Sequence, residues 1–182
     1  NPEIGIAAGS GSVNAIVAET NDSFLNDIQG RHVRAEHVWA AIESASDGLL
    51  PEGAVGAGTG TVCFGWKGGI GTASRVLPEA LGGFTLGALV QTNFGKSSDL
   101  VVHGIPVGHI LKPESRLPDA LPGSVVVVLA TDAPLVARQL GRLCGRVSAG
   151  LALTGSRFSH GSGDFVIAFS TANRIPHKSE TL

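Results

Sequence analysis

The chain has 182 residues, 43% of them apolar and only 15% charged, which is enough for one domain with a sizeable core and too hydrophobic for a disordered segment. Its 13 basic and 15 acidic side chains nearly cancel, so it lacks the positive footprint that nucleic acid or an anionic membrane surface requires. Gly, Pro or a charge interrupts every apolar run before membrane-spanning length, so a soluble protein is expected, with a small neutral or zwitterionic ligand or another subunit as its partner.

In chain order, residues 4–20 read as extended and apolar, best over Ser12 to Ala18, with Glu19 immediately after: a buried strand ending in a carboxylate. Asn21 to Asp27 is turn chemistry, because Asn and Asp bond their own backbone. From Arg34 to Ala45 the apolar residues Ala35, Val38, Trp39 and Ile42 recur at helical spacing, and Ser46-Asp47-Gly48 ends that helix. A Gly-rich loop over 48–60 leads to a short strand over 59–67. Gly68-Gly69-Ile70-Gly71 breaks the chain before two neighbouring antiparallel strands, Thr72 to Val76 and Phe84 to Gln91, the second followed by Asn93-Phe94-Gly95. Short extended pieces at 99–103 and 105–111 precede a Pro-rich connection through Pro113, Pro118 and Pro122.

At Pro122-Gly123 a turn gives way to Ser124-Val125-Val126-Val127-Val128-Leu129-Ala130, which reads as a fully buried strand with a hydroxyl at its first residue. Thr131-Asp132-Ala133-Pro134 then supplies a helix start, with Val136, Leu140, Leu143 and Val147 on one face and a solvated row of Arg138, Arg142 and Arg146 on another. The last strand is Asp164 to Phe169. Strand groups separated by few helices predict an α+β layered fold and a single domain over 1–182. Cys63 and Cys144 lie in apolar runs and are expected as free thiols.

Several familiar patterns fail on spacing. Gly95-Lys96-Ser97 resembles the tail of a phosphate-binding loop, but position 90 is Val where that loop needs Gly. Gly69 and Gly71 lack a third glycine, Ser74 standing in its place. His32 with His37, and His103 with His109, have no third ligand at zinc spacing, so no metal and no cofactor are expected. His160 reads as a polar loop residue. What remains is a constellation of Glu19, Asn93, Ser124, Ser162 and Asp164, four of them beside predicted strand ends, where a rigid sheet can hold groups at fixed separation. On spacing alone the plainer reading stands, with turn carboxylates, a turn-forming Asn and small loop serines.

Five blocks, in order over nearly the whole chain, carry a resemblance: Val17-Ala18-Glu19-Thr20-Asn21-Asp22 with Leu25-Asn26-Asp27; Lys67-Gly68-Gly69-Ile70-Gly71-Thr72-Ala73-Ser74-Arg75; Val90-Gln91-Thr92-Asn93-Phe94-Gly95; Gly123 to Pro134; and Gly161-Ser162-Gly163-Asp164. They resemble the S58 family of self-processing serine aminopeptidases, the DmpA-like and β-peptidyl aminopeptidases. The resemblance implies a layered αββα sandwich of which this chain is a part, assembled as a homo-oligomer. It implies cleavage between Gly123 and Ser124 that leaves Ser124 as an amino-terminal nucleophile. It further implies that Ser162 bonds the nucleophile, Asp164 holds the new α-amino group, Asn93 donates to the oxyanion and Glu19 takes the ammonium of a small peptide or amide with a free amino terminus. Lys67 is expected to orient nearby backbone. Tyr is absent, so no tyrosine hydroxyl can serve this chain's site. A related self-cleaving acyltransferase of the ornithine-acetyltransferase type, or a non-catalytic assembly protein on the same fold, are the alternatives. The chain starts at Asn1 without a leader, as expected of one that lacks its natural start or has been processed, and localisation is not legible.

Overall fold

The structure, a computed structural model, describes residues 15–113 and 123–174. Its centre is strand β5, Ser124–Thr131, in which β-branched side chains suit the pleated backbone and the apolar run lets both faces be covered. Val125 and Val127 are 1% and 2% exposed. β5 lies between β4 (Thr85–Asn93), antiparallel to it, and β6 (Gly163–Ser170), parallel to it; β3 (Gly69–Val76) completes a four-stranded sheet in the order β3-β4-β5-β6. The parallel step needs a crossover, and helix α3 (Ala137–Ala152) supplies it. Leu143, Val147 and Leu151, four residues apart, put one stripe of α3 against Val125, Val127, Leu129, Val166 and Ala168, while Arg138, Arg142 and Arg146 face solvent as their spacing predicts.

Other expectations shift. Residues 15–20 form no strand, and Ile16 and Val17 are exposed, so Glu19 sits on irregular backbone and ends no buried strand; the upstream part of that expectation lies outside the described residues. An apolar run alone cannot make a strand without a neighbour to pair with. Helix α1 (Ala35–Glu43) forms where predicted, its first turn closed by Arg34 N–H donating to His37 Nδ1 at 3.0 Å, yet Val38, Trp39 and Ile42 remain about half exposed. The short helix α2, Val107–Ile110, and a bridge between Val102 and Ile105 replace the extended pieces at 99–103 and 105–111. Helix α3 starts later than Thr131-Asp132-Ala133-Pro134 suggested: Thr131 stays in β5 and spends its hydroxyl on Thr85 O at 2.6 Å, and Gln139 Oε1 accepts from Val136 N–H at 3.0 Å to close the first turn. Most of the Pro-rich connection lies outside the described residues.

The single strand expected over 59–67 is instead a tight hairpin, β1 (Val62–Cys63) and β2 (Trp66–Lys67). Phe64 and Gly65 make its two-residue turn with φ of 50° and 80°, both left-handed, as such turns require. A left-handed Phe costs free energy, and burial offsets it: the Phe64 ring is 4% exposed, meets Phe94 edge to face at 5.3 Å, and its N–H donates to Phe94 O at 2.8 Å. Gly95 permits this contact, since a Cβ there would strike the Phe64 ring. Cys63 packs beneath as a free thiol that burial pushes upward, and Cys144 is likewise free.

Lys67 fastens the hairpin to the preceding loop. Its Nζ donates to Gly58 O, Thr61 O and Gly68 O at 2.7, 3.0 and 2.8 Å. Burial lowers the ammonium from its ordinary value and the Asp22 carboxylate opposes that shift, while three carbonyls favour the charged form. Lys67→Met leaves those carbonyls to water, and we expect it to lower the unfolding free energy by about 2 kcal/mol in a denaturant titration with unchanged slope; a loss under about 0.5 kcal/mol would show that the loop holds without it.

Candidate active site

The sheet brings the candidate residues together through register. Asn93, the last residue of β4, lies opposite Ser124, the first of β5, and Ser124 lies beside Gly163, the first of β6. Side chains on a strand alternate, so Gln91 shares the Asn93 face two residues back. Gln91 Nε2 donates to Thr20 Oγ1 at 2.6 Å, which draws the irregular 15–22 segment over the strand end and sets Asn21 above Ser124. The segment then turns at Asp22, whose carbonyl accepts from Leu25 and Asn26 N–H.

Asn93 is 7% exposed and has every hydrogen-bonding group in use. Val62 N–H donates to Asn93 Oδ1 at 3.0 Å; one Asn93 Nδ2 hydrogen goes to Asn21 O at 2.7 Å and the other to Ser124 Oγ at 3.2 Å. This arrangement fixes which end of the amide is which, because an N–H can only donate and a carbonyl can only accept. The amide therefore presents a donor, and never an acceptor, to the serine. A second donor, Asn21 N–H, reaches Ser124 Oγ at 3.1 Å. With both acceptor positions filled, the Ser124 hydroxyl proton is left for another partner, and negative charge developing on Oγ already faces two donors.

On the other side, Ser162 Oγ donates to Asp164 Oδ1 at 2.7 Å, and Gly163 N–H donates to Gly123 O at 3.0 Å. Ser162 Oγ also closes on Gly123, where a Cβ would meet it at 3.3 Å. A cavity of about 630 Å³ opens beside this group, lined among others by Asn21, Asn93, Phe94, Gly123, Phe158 and Ser162. That volume suits a small organic ligand. Its walls carry Lys96, Lys112 and Arg157, and Arg157 is paired with Asp99 at 2.7 Å.

Of the five residues singled out in the sequence, the structure draws Asn93, Ser124, Ser162 and Asp164 to one sheet end. Glu19 stands apart, exposed on the segment that leads to Asn21 and outside the cavity lining. Asp164 is exposed on the far side of the Ser162 hydroxyl. Asn21 is the contributor that sequence reasoning assigned only to a turn: it acts through backbone N–H and C=O, which carry no residue-type signal. Val62 is missed for the same reason. His160 lies exposed in the loop before Ser162 and makes no side-chain hydrogen bond among the described residues. Among the described residues no three His, Cys, Asp or Glu side chains approach closely enough to hold a metal.

A β-peptidyl aminopeptidase of Sphingosinicella microcystinivorans is 48% identical over 172 residues, 87% of this chain and 43% of that protein. A Pyrococcus horikoshii protein of known structure superposes with a TM-score of 0.86 at 50% identity, covering all of this chain and 49% of its own. The L-aminopeptidase D-Ala-esterase/amidase of Ochrobactrum anthropi, described as a prototype serine aminopeptidase and a variant of the Ntn hydrolase fold, superposes with a TM-score of 0.79 at 44% identity over 88% of this chain and 44% of that one. The chain thus spans about half the length of these relatives and shares the Ntn hydrolase fold over that half. Since the family profile of peptidase family S58 also matches residues 2–182, the chain belongs to peptidase family S58.

Proposed function

We propose that this chain is part of a serine aminopeptidase that cuts itself between Gly123 and Ser124 and then removes amino-terminal residues from small peptides, amides or esters. The observation that carries the reading is the buried Ser124 Oγ, at the first residue of β5, held by Asn93 Nδ2 and Asn21 N–H. A hydroxyl so placed is poor packing material but a well-oriented nucleophile. The relatives named as aminopeptidases supply the reaction class.

In this reading a freed Ser124 α-amino group, with a reference pKa near 8, takes the hydroxyl proton and later returns it to the leaving amine. Asp164 neutralises the resulting ammonium from the neighbouring strand, one residue from the Ser124 register partner, and its carboxylate accepts from Ser162 Oγ. Asn93 Nδ2 donates to the oxyanion that forms as a substrate carbonyl is attacked beside Oγ. Glu19 binds the substrate ammonium; its segment already touches Ser124 through Asn21, two residues away. A carboxylate there admits only chains with a free amine, which restricts the enzyme to terminal residues.

Intact mass of the full-length wild-type protein should show two polypeptides meeting at Gly123/Ser124, and Ser124→Ala should remain one inactive chain. A whole wild-type chain with full peptidase activity would overturn the reading. Asn93→Ala should lower kcat about 10²- to 10³-fold with a smaller effect on KM, the loss typical of one oxyanion donor. Glu19→Ala should lose about 10- to 100-fold in kcat/KM on free-amine substrates, the range of one charge-assisted bond, while self-cutting keeps its rate; equal loss of both would make Glu19 structural.

A further inference from the structure

Self-cutting and turnover pose separate electrostatic problems. In both, Ser124 Oγ attacks a carbonyl carbon, but in self-cutting that carbonyl is the chain's own Gly123, fixed in place by the fold. The oxygen that becomes the oxyanion is therefore Gly123 O, and the structure shows what it touches. Gly163 N–H donates to it at 3.0 Å, the first rung of the parallel β5-β6 ladder. Asn93 makes no bond to Gly123 O; its two Nδ2 hydrogens go to Asn21 O and Ser124 Oγ.

We propose that the backbone N–H of Gly163 is the oxyanion donor for cleavage of the Gly123–Ser124 bond, and that Asn93 serves there by orienting the nucleophile. The inference rests on the self-cutting reading above. Oγ attack forms the C–O bond and places negative charge on Gly123 O, where Gly163 N–H receives it. Collapse breaks the C–N bond as the hydroxyl proton passes to the Ser124 nitrogen, giving an ester between Gly123 and Ser124 Oγ. Water then hydrolyses the ester, leaving a Gly123 carboxylate and restoring the hydroxyl beside a free amine.

Strand pairing explains why the donor is ready before the chemistry starts. An N–H held in a ladder cannot reorient, so it stabilises the oxyanion without first reorganising. The same short stretch that supplies Ser162 and Asp164 for turnover supplies Gly163 N–H for maturation. The two strands also leave room at this position: a methyl added at Gly163 would have the Phe165 ring at 3.6 Å and Ser124 Cβ at 4.0 Å as its nearest neighbours. Those are ordinary contacts, so a methyl fits.

The test compares two full-length variants for first-order self-cutting followed by intact mass. Gly163→Ala keeps the N–H and adds only bulk, whereas Gly163→Pro removes the N–H at the first residue of a strand, a place where proline is accommodated. Gly163→Pro should cut about 10²- to 10³-fold more slowly than Gly163→Ala. Equal rates in the two variants overturn the inference. A readout that does not need the proline variant to fold is the through-hydrogen-bond coupling between Gly163 ¹⁵N and Gly123 ¹³C′ in uncut Ser124→Ala protein; its absence also overturns the inference. A wild-type chain that stays whole, or Ser124→Ala protein that is still cut, would instead remove the self-cutting reading and this inference with it.

Discussion

Everything in the site depends on the register of β5 against its two neighbours. Ser124 pairs with Asn93 on one side and Gly163 on the other, and a shift by one residue would turn every side chain of β5 to the opposite face. β5 is paired on both edges in that register, with Val125, Val127 and Leu129 on the face that packs against α3, so the hydroxyl at the strand's mouth has one place to be. The hydrophobic core and the placement of the candidate nucleophile are thus set by the same constraint.

Around that register the polar network is closed in a particular order. Lys67 pins the loop before the hairpin, the hairpin offers Val62 N–H to Asn93 Oδ1, and the amide so oriented turns its NH₂ to Asn21 O and Ser124 Oγ. Each link constrains the next. Left-handed Phe64 belongs to this chain of contacts, because the tight turn that needs it is what aims the Val62 backbone. Strain at that residue is offset by burial against Phe94, and the site gains rigidity from it.

Among the described residues, apolar surface stays open on the α1 stripe of Val38, Trp39 and Ile42 and on the sheet face carrying Phe165 and Phe169, each about half exposed. The periodicity that predicted α1 was correct about secondary structure and about which face is apolar. It carries no information about what covers that face, and the chain spans only about half the length of its relatives. The same gap explains residues 15–20: an apolar run reads as a strand, yet it becomes one only where an edge offers hydrogen bonds, and here it crosses the ends of strands instead.

From sequence alone, β5, α3 and β6 were legible, because a β-branched run, a stripe spaced by three and four, and a short apolar run punctuated by glycine are local patterns fixed by backbone sterics and burial. The residue types proposed for the site came from five ordered blocks of family resemblance. Tertiary structure alone decided what those residues touch. Gly163 N–H on Gly123 O, Asn21 N–H on Ser124 Oγ and Val62 N–H on Asn93 are backbone contacts between segments far apart in the chain. A backbone amide is the same in nearly every residue, so its partner is set by register and loop path, which no single sequence pattern encodes.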